Sequence, residues 1–115
     1  MSKRGDLEVL SDILEASRRI MAYGESMSYQ QFSVDTKTQD AVIRNFGIIG
    51  EAAKNISQAI KDEYQEVAWS DLAKLSDKLI HHYFGVNLDV VWSIIEESLL
   101  AIVKQIEVIV KKESQ

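Results

Sequence analysis

The residues best suited to chemistry in this chain stand together in a run that holds both of its histidines and ends at Gly85. A glycine just past an apolar-periodic run predicts a helix C-terminus, so His81, His82 and Tyr83 are expected in the last turn, near unpaired carbonyls. That environment favours a protonated imidazole, and it suits His81 to give or take a proton. The alternative is a solvated histidine that only complements the helix dipole, and spacing does not choose between the two.

The two histidines are adjacent in the sequence, whereas two ligands of one metal ion on a helix need a spacing of three or four residues. Because the chain also has no cysteine to complete such a site, we expect no metal ion, and we expect no cofactor. His82 continues a predicted apolar seam of Leu72, Leu75 and Leu79, and this spacing favours a core histidine bonded to a carbonyl over a site residue. Tyr83 is either part of an aromatic plug at the end of a bundle or a phenol open to modification.

Further polar candidates fall on a long helix earlier in the chain. Glu51 stands within a strip of glycines and alanines that lets another helix come close. It either faces solvent, or pairs with Lys54 or with a histidine across the bundle. Arg44 and Asn45 carry the same two interpretations.

Apolar periodicity predicts the elements that position these residues, and it indicates an all-α, up-and-down bundle of four to five helices. The predicted helices are residues 7–24, a long helix from Asp35 to Ile60, a third from the N-cap Ser70 to Gly85, and a last one that begins after the cap Asn87. Asp35 or Ser33 can cap the long helix, and its heptad seam is Val42, Phe46, Ile49, Ala53, Ile56 and Ile60. The seam of the last helix is Leu88, Trp92, Ile95, Leu99, Ile102, Ile106 and Ile109. A polar connection, residues 24–35, joins the first two, and its aromatic residues are expected to pack it onto the bundle. The last helix carries a second apolar flank that we expect to face another copy of the chain: Ile94, Ala101, Val103, Val108 and Val110.

The 115 residues are expected to form one domain, residues 1–115, that buries about two-thirds of its unfolded surface. No apolar run approaches the roughly 20 residues of a membrane span, and the N-terminus does not resemble a signal peptide. We therefore expect a soluble protein outside the membrane, and the lack of cysteine fits a reducing cytoplasm. The net charge of −5 argues against a broad basic face for DNA or RNA, so any RNA contact must use a local cleft.

Three segments, residues 41–54, 64–69 and 77–86, together resemble the HepT-like toxins of the HEPN superfamily, and the similarity covers nearly the whole chain. The resemblance implies an all-helical two-fold dimer with a ribonuclease cleft between the two copies of the third helix. The signature of the family is an arginine, four to six residues, a histidine, one residue and a tyrosine. The histidine and tyrosine of that pattern fall on His81 and Tyr83 here, with His82, Asp77 and Lys78 as supporting residues around them.

The activity implied by the resemblance is metal-independent RNA cleavage, in which the histidine moves a proton as the ribose 2′-hydroxyl attacks the phosphate. The implied partner is a minimal nucleotidyltransferase antitoxin that transfers AMP from ATP onto the motif tyrosine, here Tyr83. A phenol that carries phosphate would fill an anion-binding cleft with bulk and negative charge.

The sequence departs from the family pattern at the arginine. That residue should stand five positions before His81, where the chain has Ser76. A serine cannot make the two parallel charged hydrogen bonds of a guanidinium, and neither Lys74 nor Lys78 is at the required position. Either the natural protein has lost catalysis or the chain is an inactivated form of a toxin. The alternatives to a ribonuclease are a non-catalytic partner of the nucleotidyltransferase and a bundle without site chemistry.

Overall fold

The computed structural model describes residues 3–81 and 87–115, apart from the side chains of residues 3–4 and 78–81. The described residues form helices and no strand, which confirms the predicted all-α class. The helices are α1 (Lys3–Gly24), α2 (Tyr29–Val34), α3 (Thr36–Lys54), α4 (Gln58–Glu63), α5 (Trp69–His81), α6 (Leu88–Ser93) and α7 (Leu99–Glu113). A π-helical turn, Ile94–Ser98, joins α6 to α7. None of the helices in the described part combines the length and the apolar character that crossing a membrane requires.

Helix α3 is the centre of the bundle, since it packs against α1 on one side and α5 on the other, while α1 also packs against α7. The seam predicted to start on α3 is confirmed as buried, although its last two members lie beyond the end of this helix: Val42, Phe46, Ile49, Ala53, Ile56 and Ile60. Of the two predicted N-caps, Asp35 is the one observed, since its carboxylate accepts a hydrogen bond from the backbone nitrogen of Thr38 at 3.0 Å. Helix α3 therefore positions the helices around the candidate site.

The prediction of one unbroken helix from Asp35 to Ile60 is wrong, because α3 ends at Lys54 and α4 starts after Ser57. In a continuous helix the Ser57 backbone N–H would bond a carbonyl four residues earlier. Here that N–H donates to the buried carboxylate of Asp6 at 3.0 Å, and the Ser57 hydroxyl donates to the same carboxylate at 2.7 Å. The Ser57 oxygen also accepts from Ile60 N and so caps α4. Asp6, near the start of α1, thus interrupts the predicted helix at Ser57.

The connection between α1 and α3 holds a short helix that we did not predict, α2, which begins with a capping box between Ser28 and Gln31. The prediction that its aromatic residues pack onto the bundle is confirmed. Phe32 is buried with its ring centre 5.1 Å from that of Trp92, and Tyr29 meets the same indole edge-on at 6.3 Å.

The start of α5 differs from the predicted one by a residue, since Ser70 is exposed inside the first turn instead of capping it. The carbonyl of Ala68 accepts the first helical bond, from Leu72 N at 3.0 Å. The indole nitrogen of Trp69 donates to Tyr64 O at 3.0 Å, which anchors the buried tryptophan at the helix entry. The helix therefore begins at Trp69.

The last helical stretch begins where predicted, with the Asn87 side chain accepting from Asp89 N at 2.9 Å. The π-helical turn then shifts the apolar seam, because a π turn winds more residues per turn than an α-helix. Val91 and Val103 are buried as a result, whereas Ile95 and Ile102 of the predicted seam are only half-buried. The assignment of Val103 to an outward flank is therefore wrong.

Candidate functional site

Helices α3 and α5 nearly touch at Gly50 and Ser76. A Cβ added to Gly50 would lie 2.4 Å from the backbone nitrogen of Ser76 and 2.7 Å from its Cβ. Ser76 is only 1% exposed, although its neighbour Leu75 is half-buried at the edge of a groove. The prediction that the small-residue strip admits another helix is confirmed, and Ser76, the position where the family pattern predicts an arginine, lies at this close contact.

The hydroxyl of Ser76 is the first member of a polar cluster that links the two helices. It donates to Glu51 Oε2 at 2.8 Å, while Ala73 O lies farther from it at 3.3 Å. The same Glu51 oxygen pairs with Lys54 Nζ at 2.9 Å, and Lys54 Nζ also donates to Asp77 Oδ1 at 2.9 Å. Of the alternatives for Glu51, pairing with Lys54 is therefore confirmed.

The charges of this cluster lie at the protein surface above the buried serine. The side chains of Glu51, Asp77 and Lys54 are 62%, 56% and 39% exposed, so water screens their mutual attraction. The Lys54 ammonium first, and the Ser76 hydroxyl second, hold the pKa of the Glu51 carboxyl below its ordinary value. Asp77 and then Glu51 raise the pKa of Lys54. Glu51 and Lys54 are thus both charged at neutral pH, and the Glu51 carboxylate is a hydrogen-bond acceptor for the side chain at position 76.

Arg44 and Asn45 have different environments, which the sequence left open. Asn45 is buried, its amide nitrogen donates to Ala41 O at 2.8 Å, and its oxygen Oδ1 has no hydrogen-bond partner. Arg44 is exposed and lines an open groove of about 730 Å³ on the α1–α3 face together with Glu51. Arg44 therefore shares a surface with the cluster, whereas Asn45 belongs to the interior of α3.

A second groove, of about 390 Å³, runs between α5 and the last helical stretch. Its walls include half-buried Leu75, Ile94 and Ile102, and Lys74 lies at its rim. Lys74 thus lines the groove between α5 and α7, whereas Ser76 packs against α3. Lys74 and Ser76 therefore face different neighbours of α5.

The remaining predicted site residues lie at or beyond the limit of the described structure. His81 is the last residue of α5, about one and a half turns after Ser76, and its side chain and that of Lys78 are outside the description. His82 and Tyr83 fall outside the described residues altogether. Within the described part, no three histidine or acidic side chains converge as ligands of a metal ion would.

Comparison with known proteins places this helical arrangement in a family. The family model of HepT-like ribonucleases matches residues 13–109, which span α1 through most of α7. The chain belongs to the HepT-like ribonuclease family. No solved structure matches the chain.

Relatives of this HepT-like chain extend over nearly its whole length. "Putative RNase MJ0127" of Methanocaldococcus jannaschii is 41% identical over 111 residues, which cover 96% of this chain and 92% of the relative. "Probable ribonuclease HepT" of Thermococcus cleftensis is 42% identical over 97 residues, 84% of this chain and 88% of the relative. Both names denote ribonucleases, in agreement with the family expected from the three sequence segments.

Sequence reasoning missed two contacts of the polar cluster in this HepT-like chain, the bond from Lys54 to Asp77 and the bond from Ser76 to Glu51. The spacing of Glu51 and Lys54 on one helix did signal their pairing. Nothing in the sequence brings Asp77 to Lys54, since 23 residues separate them. That contact depends on how α3 and α5 cross.

Proposed function

We propose that this protein derives from a metal-independent endoribonuclease toxin and that its own cleavage is weak or absent. The carrying observation is the environment of Ser76, which stands at the motif-arginine position and whose buried hydroxyl bonds Glu51. Family membership and the ribonuclease names of the relatives support the reaction class.

In the proposed reaction, His81 takes the proton of a ribose 2′-hydroxyl while the 2′-oxygen forms a bond to the adjacent phosphorus. The bond from phosphorus to the 5′-oxygen breaks, and that leaving oxygen takes a proton from water. Negative charge builds on the phosphate oxygens in the transition state, where a guanidinium would make two parallel charged hydrogen bonds. A serine at position 76 makes neither, so the transition state should lose roughly 3 kcal/mol of stabilisation or more.

The proposed biological setting is a toxin–antitoxin pair in the cytoplasm. Two copies of the chain would form the cleft, and a minimal nucleotidyltransferase would silence it by transferring AMP from ATP to the Tyr83 hydroxyl with release of pyrophosphate. This part of the proposal rests on the family resemblance and on the place of Tyr83 two residues after His81.

The test is cleavage of a labelled single-stranded RNA with a metal chelator present. Ser76→Arg should raise the rate at least about a hundredfold over the parent chain, and adding His81→Ala should remove the gain because proton transfer is lost. Ser70→Arg is the matched control, since it adds the same side chain at an exposed position of the same helix. If Ser76→Arg gains no more than this control, the arginine is not the missing element.

A second candidate function is that of a non-catalytic helical partner of the nucleotidyltransferase. The bond from Ser76 to Glu51 favours it, because it satisfies this position without any group that could hold a phosphate. An unchanged rate for Ser76→Arg, together with transfer of AMP to Tyr83, would support this function over cleavage.

A further inference from the structure

The Glu51 carboxylate lies within hydrogen-bond distance of the side chain at position 76. Its Oε2 accepts from both Ser76 and Lys54, while among the described residues no donor bonds Oε1. A carboxylate offers two oxygens and about four lone-pair sites, and a planar guanidinium matches both oxygens at once. The Glu51 carboxylate can therefore accept further hydrogen bonds besides the one from Ser76.

Gly50 determines where a longer side chain at position 76 could go. The backbones of α3 and α5 leave no room between them, since even a Cβ on Gly50 would overlap Ser76. The Ser76 hydroxyl instead points along α3 to Glu51, whose side chain is more than half exposed. This direction leads from the buried helix contact to solvent, so a long side chain could follow it without entering the core.

Lys54 would keep a charged partner if a new donor at position 76 bonded the Glu51 carboxylate. Its ammonium group already bonds Asp77 at 2.9 Å, and that contact can persist when the one to Glu51 is shared. A fork of two bonds from position 76 to Glu51 is thus compatible with the rest of the cluster.

We propose that Glu51 is the positioning residue for position 76, built to hold the guanidinium of an arginine there by two parallel hydrogen bonds. The remaining N–H groups of that guanidinium face solvent and are available to a phosphate. In the present chain the Ser76 hydroxyl occupies this acceptor. The inference deepens the proposed function and rests on it only for the role of position 76 in catalysis.

The test combines a carboxyl-carbon NMR titration of Glu51 with thermal unfolding of variants at positions 76 and 51, all without RNA. Ser76→Ala should raise the measured pKa of Glu51, and Ser76→Arg should lower it below that of the parent chain. The effect of Ser76→Arg on the folding equilibrium constant should depend on residue 51. It should be roughly tenfold more favourable in the chain with Glu51 than in the Glu51→Gln background. In a chain with restored activity, Glu51→Gln should then lower kcat more than it changes KM.

The control pair is Ser70→Arg with Glu51→Gln. These two sites share no partner, so their effects on unfolding should add, which separates a specific bond from the general benefit of a cation in an acidic protein. A Ser76→Arg chain that unfolds, that is equally stable in both backgrounds, or that leaves the pKa of Glu51 unchanged would overturn the assignment. So would an unchanged Glu51 pKa in Ser76→Ala. The NMR titration and the unfolding measurements need no cleavage, so their failure is distinguishable from a failure of the ribonuclease proposal.

Discussion

Gly50 and Ser76 meet backbone to backbone, with only 2.4 Å between the Ser76 nitrogen and the point where a Gly50 side chain would begin. Two helices approach this closely only where one of them presents no Cβ. The contact fixes the distance between α3, which carries Glu51, and α5, which ends at His81. The glycine is therefore part of what builds the site, although it has no functional group.

Gly50→Ala should destabilise the protein by about 2 kcal/mol or more, because the overlap with backbone cannot be relieved by a side-chain rotation. That cost outweighs the roughly 1 kcal/mol by which alanine favours a helix over glycine. Urea unfolding followed by circular dichroism measures the change.

The matched control is Gly24→Ala, where the new Cβ would meet its nearest neighbour, Ile95 Cγ2, at an ordinary 3.6 Å. This variant should be neutral or slightly more stable than the parent chain. Equal losses at both glycines would contradict the close contact of α3 with α5.

Tyr64 ties the loop before α5 to the end of α7, since its hydroxyl donates to Glu113 Oε2 at 2.6 Å. This bond, followed by burial, raises the pKa of Tyr64 to about 12. Tyr64→Phe should therefore cost about 1 kcal/mol at neutral pH, measured by urea unfolding.

The pH dependence of that difference has a definite sign. Because the folded protein holds the Tyr64 proton more tightly than the unfolded chain, the stabilisation is complete below pH 10 and is lost as the pH rises towards 12. Tyr23→Phe, at an exposed tyrosine, is the control and should leave the free energy of unfolding at neutral pH nearly unchanged. A Tyr64→Phe difference that grows above pH 10 would be incompatible with this account.

We expect a homodimer through the outer flank of α7, where Leu100 and Val108 are about half exposed. Light scattering at micromolar concentration should report about twice the 13.0 kDa of one chain, and Val108→Arg should shift it towards the monomer. Val34→Arg, at a highly exposed valine of α2, serves as the control and should leave the dimer intact. A monomeric parent chain would remove the two-copy cleft from the proposal.

Tyr83 should be the residue that accepts AMP when the chain is incubated with ATP and a minimal nucleotidyltransferase. Tyr64 is a poor competitor, since its hydroxyl is buried and bonded to Glu113. Tyr83→Phe should abolish the mass increase of one AMP, whereas Tyr23→Phe should retain it. A gain of AMP that persists in Tyr83→Phe would move the modification to another residue.

Much of this protein follows from local patterns in its sequence. A buried stripe repeats every three or four residues, so the apolar positions of α3 could be assigned correctly without a structure. Caps are equally local, and Asp35 and Asn87 begin helices as predicted because each binds a backbone N–H within three residues. The assignment of His81, Tyr83 and Ser76 to the family pattern was also read from the sequence, and it stays a prediction.

Contacts between distant residues decided the rest, since no periodicity records them. Asp6 breaks the long helix from 51 residues away by taking the N–H of Ser57. Burial of Ser76 in place of Leu75 follows from the rotation of α5 against Gly50, which apolar spacing alone did not indicate. The cluster of Ser76, Glu51, Lys54 and Asp77 exists because two backbones touch at one glycine, and such a contact depends on how the helices cross in three dimensions.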